Sequence, residues 1–193
     1  MDIRLPCKFS DNGCKEGGAR SFMQEHIRRC IFGKFECPTW ICKEMIPYGE
    51  VVDHLKNTHG SPVQIKRKFA ILPNKIEFYS PLISFVHDQT FFLNCIKRDH
   101  ASMFWVTMFG TEEEAKTFEV KMTAGPNDHL CIRMPGKVYG IEVRKEDVIK
   151  DSRGILEINK SLADRMSTML GRVLCIPIEY KITHKTTTPT QST

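Results

Sequence analysis

The sequence predicts a mostly-β chain of the α+β class: two small structural zinc fingers, then an antiparallel β-sandwich. Three observations predict it. The first 59 residues hold five cysteines and three histidines at metal-ligand spacing. After Gly60 the chain becomes a series of short apolar or alternating runs punctuated by turn residues. Helical patterning there is confined to short interruptions, as in a sandwich rather than an alternating α/β fold.

The fingers come first. Cys7-x6-Cys14-x11-His26-x3-Cys30 is followed by Cys37-x4-Cys42-x11-His54-x4-His59. Each quartet is a pair of cysteines, an eleven-residue gap and a closing pair. Zn²⁺ takes four nitrogen or sulfur ligands in a tetrahedron, so the two quartets predict two structural zinc ions per chain. His26 and Cys30 are four apart and share one face of a helix expected over Ser21–Cys30. His54 and His59 are five apart, which predicts that their helix ends between them. Four protein ligands leave no position for a reacting water, so both ions are read as structural. A segment of this size depends on its metal to fold.

Residues 1–60 are therefore taken as tandem fingers, 61–185 as the sandwich and 186–193 as a disordered polar tail. Strands are expected over 63–72, 75–79, 90–97, 102–109, 117–122, 129–134, 146–150, 154–159 and 172–183. Thr111-Glu-Glu-Glu-Ala-Lys opens with a cap residue and an acidic first turn, the signature of a short helix. Ser161-Leu-Ala-Asp-Arg-Met predicts a second, capped by Ser161. Cys95, Cys131 and Cys175 sit in apolar runs and read as buried thiols.

Composition narrows the function. The fingers hold nine Lys and Arg against eight Asp and Glu, and the whole chain carries +5. Phosphate contact needs a cationic surface, so nucleic-acid binding by the fingers is disfavoured, though paired finger helices keep it as an alternative. No long apolar run exists to span a membrane, and the N-terminus lacks the apolar core of a secretory signal. Cysteine-rich metal sites fit a cytoplasmic or nuclear protein. No nucleophile elbow, His-Glu-x-x-His helix or phosphate loop is present, so the chain offers no catalytic residues of its own.

The finger spacing, the stretch Gly110-Thr-Glu-Glu-Glu-Ala-Lys-Thr-Phe118 and the stretch Asp151-Ser-Arg-Gly-Ile-Leu-Glu-Ile-Asn159 together resemble the Seven-in-absentia (Siah) family of ubiquitin ligases. In that family a RING precedes two zinc fingers and a TRAF-like substrate-binding sandwich. The knuckle Cys37-Pro-Thr-Trp-Ile-Cys42 is shorter than the family's usual one. The resemblance implies a TRAF-like sandwich, a homodimer and partners bound as extended peptides. It places Val63, Ile65, Phe78 and Ser80 along the peptide groove, with Phe78 where the family has tryptophan. It also implies that a ubiquitin-conjugating enzyme is engaged only through a RING, which this chain lacks. Two roles then remain open: the substrate-recognition region of a ligase, and a RING-less adaptor or competitor.

Overall fold

The computed structural model describes residues 4–30, 32–39, 42–63, 68–71, 81–98, 100–170 and 172–185. The first finger contains β1 (Leu5–Pro6), β2 (Gly17–Gly18) and helix α1 (Arg20–Arg29). The second contains β3 (Lys34–Glu36), β4 (Met45–Pro47) and α2 (Val51–His59). Then follow β5 (Lys68–Ile71), β6 (Leu82–Val86), β7 (Gln89–Arg98), β8 (Ala101–Met108) and α3 (Glu112–Ala115). The chain continues through β9 (Phe118–Asn127), β10 (Leu130–Gly140), α4 (Lys145–Asp151), β11 (Leu156–Asn159), α5 (Lys160–Met166), β12 (Thr168–Leu170) and β13 (Val173–His184).

Nine strands form one curled, hydrogen-bonded path, ordered β12-β13-β9-β10-β8-β7-β6, with β11 on β8 and β5 on β13. The curl turns at β10. Its first part pairs antiparallel with β9, while Val138, Tyr139 and Gly140 pair with Val106, Thr107 and Met108 of β8. That last pairing is parallel, a departure from the all-antiparallel expectation. The two halves face each other as a sandwich. Phe91, Leu93, Phe104 and Val106 on one side meet Val120, Met122, Ile178 and Tyr180 on the other in one buried core. Side chains alternate across a strand, so the intervening residues of β7 and β8 point away from that core. Most of those residues are also apolar, Asn94 and Thr107 excepted. Phe92 and Ile83 pack with the second finger, and Met103 and Trp105 pack with Tyr139 and Val148.

Several expectations need correction. Residues 146–150 are helical, not extended. Glu146 and Asp147 in the first turn and Lys150 in the last suit the helix dipole, and Ser152 closes the helix in the left-handed region at φ 55°. Residues 82–86 form β6, a strand outside those expected. His87 and Asp88 have φ of 50° and 58°, giving a tight hairpin turn without glycine. Pro135 and Gly136, a pair with turn chemistry, lie inside β10 opposite Lys121 and Val120. Asn159, not Ser161, caps α5 by accepting the Leu162 amide. The cap at Thr111 stands as read: its hydroxyl accepts the Glu114 amide, and the Glu114 carboxylate accepts the Thr111 amide. Of the expected strand 63–72, Lys68–Ile71 is extended and pairs with β13; strand 75–79 and the tail 186–193 lie outside the described residues. Cys95 and Cys175 are buried as expected, but Cys131 is only half-buried beside the β9–β10 turn.

Candidate metal centres

Each quartet is brought together. In both clusters every pair of donor atoms lies within 4.8 Å. In the first finger, Cys7 follows β1 and Cys14 follows a single 3-10 turn that ends at Gly13, whose φ of 102° reverses the chain. The Phe9 amide donates to Cys7 Sγ at 3.4 Å, and the Cys14 amide to the Phe9 carbonyl at 3.2 Å. This knuckle holds both thiols facing α1. His26 projects from α1, and Cys30 is the extended residue that ends it. Cys7 Sγ and Cys30 Sγ are 3.8 Å apart, and Cys14 Sγ and His26 Nε2 3.3 Å.

In the second finger, Cys37 follows β3, and His54 and His59 both lie on α2. The helix does not end between the histidines. It runs through His59 and is closed by Gly60 at φ 60°, whose amide donates to the carbonyls of Leu55 and Lys56. The last turn lets both imidazoles converge, with Nε2 atoms 3.0 Å apart. Cys37 Sγ lies 3.4 Å from His59 Nε2, and Cys42 Sγ 3.8 Å from His54 Nε2. His54 turns its other ring nitrogen toward the Thr58 hydroxyl at 3.5 Å and Glu44 at 3.7 Å. A second partner of this kind fixes ring orientation in a ligating histidine.

The spacing fits zinc and not a disulfide. Zn–S bonds of about 2.3 Å in a tetrahedron place sulfurs roughly 3.8 Å apart, whereas a disulfide needs about 2.05 Å. Electrostatics agree. Burial pushes the Cys30 thiol up to about 11 and also raises that of Cys37. Thiolates in such places need a cation beside them, which a divalent metal supplies. Burial, reinforced by neighbouring His54, lowers His59 and keeps it the neutral imidazole that a metal takes. The two clusters fit two structural zinc ions, each with four protein ligands.

The surroundings differ between the centres. Cys7, Cys14 and Cys30 are buried among residues of their own finger, such as Met23, Phe9 and Phe32. Cys37 instead shares a cluster with Ile46, Val51 and Leu55 of its finger and with Ile83 and Phe92 of the sheet. Tyr48 stacks on Phe109 at 4.2 Å between ring centroids. Lys145, on α4, donates to the Cys37 carbonyl at 3.0 Å and the Thr39 carbonyl at 2.6 Å. Burial lowers its pKa. Thr39 in turn holds Cys37: its hydroxyl is 3.1 Å from Sγ, and its amide donates to Sγ at 3.5 Å. The position of Thr39 two residues past a ligand was a signal available in the sequence; Lys145, 108 residues from Cys37, left none.

Of the four residues placed along the peptide groove, Val63 is exposed and makes an isolated parallel bridge to Ile83. Ile65, Phe78 and Ser80 lie outside the described residues.

Residues 1–72 match the family model of the Sina zinc finger. The E3 ubiquitin-protein ligase siah-1 of Caenorhabditis briggsae is 25% identical over 142 residues, a match covering 65% of this chain and 32% of that protein. The chain thus spans about a third of the length of that relative. Residues 1–72 thus carry a zinc finger of the Sina type, and the chain is similar to a Siah-type protein.

Proposed function

We propose that this Siah-type chain is the substrate-recognition and docking region of a ubiquitin ligase system. The observation that carries the reading is the Sina-type finger pair braced against a β-sandwich, in a chain similar to a protein named as an E3 ubiquitin ligase. The sandwich would take a partner as an extended peptide added at a sheet edge. Main-chain hydrogen bonds then give affinity, and side-chain pockets give selectivity. The β6 edge, where Val63 bridges Ile83, is the place for it. The fingers set the distance between client and transfer machinery. All eight clustered ligands serve the two zinc sites, so the conjugating-enzyme platform comes from a RING elsewhere in the assembly. A RING-less adaptor acting on such a ligase uses the same surfaces. The reading includes self-association through the C-terminal strands, where Met169 and Leu174 pair across β12 and β13 with both side chains exposed. Thiolate zinc sites suit the reducing cytoplasm or nucleus.

The test is reconstitution with activating and conjugating enzymes. The chain alone should transfer no ubiquitin. Joined downstream of a RING, it should direct ubiquitin to proteins that it captures. Val63→Asp should reduce that transfer without loss of zinc. Robust transfer by the chain alone, or equal client modification when the chain is left out of the fusion, would overturn the proposal.

A further inference from the structure

A cleft of about 280 Å³ opens along the seam between the second finger and the sandwich, apart from the β6 edge. The outer face of β7 and β8 forms its floor. One half of that face is covered by the finger and the other by α4, and between them Asn94, Trp105 and Thr107 remain to line the gap. Asn94 and Trp105 are 5% and 3% exposed, and Thr107 is 9% exposed. Met45, Ile141 and Val143 stand around them.

This floor has unspent hydrogen-bonding capacity. Asn94 Nδ2 donates to the Phe92 carbonyl at 3.1 Å and to Thr107 Oγ1 at 2.9 Å, which uses both amide hydrogens. The Phe92 carbonyl also fixes the amide orientation, since the oxygen of Asn94 could not face it. Asn94 Oδ1 is left with no donor among the described residues, and Thr107 has already accepted from Asn94, so its own proton is available. An acceptor and a donor, each on a largely buried residue, thus stand side by side next to an indole ring. The opposite wall is a strand. Lys34, Phe35 and Glu36 of β3 all border the cleft. Side chains alternate across a strand, so three consecutive bordering residues bring the backbone of β3, as well as one of its faces, to the cleft. β3 pairs with β4 alone among the described residues, so its other edge is unpaired there.

We propose that this cleft is a second recognition site, for an extended protein segment carrying a tyrosine. The segment adds to the unpaired edge of β3 as a third strand of the finger hairpin. Its tyrosine ring lies against Trp105, and its hydroxyl donates to Asn94 Oδ1 while accepting from Thr107 Oγ1. A hydroxyl is the group that satisfies a neighbouring acceptor and donor at once, and a single aromatic side chain suits a cleft smaller than a drug-sized pocket. The rim balances Lys34, Arg144 and Lys145 against Glu36, Glu142 and Glu146, so the flanking residues of the segment are uncharged. The site is independent of the client groove at the β6 edge, and neither depends on the other.

The probes are the capped peptides Ser-Val-Tyr-Val-Ser and Ser-Val-Phe-Val-Ser, titrated into the zinc-loaded chain and followed by heteronuclear NMR. The tyrosine peptide is expected to shift the amides of residues 34–36 and the Trp105 indole. The phenylalanine peptide should bind at least about tenfold more weakly, because its ring shuts water out and leaves the pair unsatisfied. Thr107→Val should shrink the difference between the two peptides. Met45→Glu, at an exposed position that leaves the fold intact, should weaken both by placing a carboxylate beside the aromatic ring. No shift at the cleft at about millimolar peptide, or equal binding of the two peptides to the wild type, would overturn the proposal.

Discussion

The ammonium of Lys145 lies 2.6 Å from the carbonyl oxygen of Thr39, joining the sandwich to the zinc knuckle across 106 positions of sequence. The same ammonium reaches the Cys37 carbonyl. The two carbonyls belong to the loop that presents Cys37 to the metal, so this lysine holds the second finger in register with α4. Ile83, Phe92, Val51 and Leu55 complete the contact with an apolar layer.

Lys145→Met keeps the length and apolar stem of the side chain but removes both donors. It should destabilise the chain by about 1–3 kcal/mol, the cost of charge-assisted hydrogen bonds lost at partly buried carbonyls. Amide exchange around Thr39 should accelerate, and zinc release from the second finger to a chelator should quicken. Unchanged exchange and release would show that the apolar layer alone fixes the finger.

Phe92→Ala tests that layer. Phe92 is fully buried between the sheet and the finger. Truncation should cost about 3–5 kcal/mol in denaturant unfolding. Phe22→Ala, on the exposed side of the first finger, should change stability by less than about 0.5 kcal/mol.

Asp151 offers a pH-dependent check. The Arg153 hydrogen bond, aided by the charges of Arg153 and Lys137, holds its carboxyl below the ordinary carboxylate range. A lowered native value means stability that is full above the unfolded carboxylate pKa of about 3.9 and lost as pH falls through the native value. Asp151→Asn should therefore be less stable than wild type near neutrality, by on the order of 0.5–1 kcal/mol after solvent screening. The difference should shrink as pH falls below about 4. A gap that stays constant through that range would assign the effect to packing.

What the sequence made legible follows from how local each signal is. The Cys and His spacings and the Thr111 capping box are written within a few residues of the chain, and the structure brings those residues together. The β6 hairpin was hidden because His87 and Asp88 adopt positive φ without the glycine that usually announces such a turn. Helix α4 was read as a strand because Val148 and Ile149 are β-formers; packing of Val148 against Trp105 and Tyr139, with the charged ends of the helix, decided otherwise. Helix α2 ran past its expected end because Gly60 closes it one residue after His59. The Lys145 contact and the cleft floor of Asn94 and Thr107 join distant segments, and no local pattern records such pairings.

Two zinc ions build the fingers, and among the described residues only the second finger packs its core on the sandwich. Metal analysis combined with amide exchange tests it, on wild type, Cys14→Ser and Cys37→Ser. The wild type should hold about two zinc per chain and each variant about one. Exchange in the strands around Ile83 and Phe92 should rise in Cys37→Ser and stay at the wild-type level in Cys14→Ser. One zinc or none in the folded wild type, or equal loosening of those strands in both variants, would contradict it.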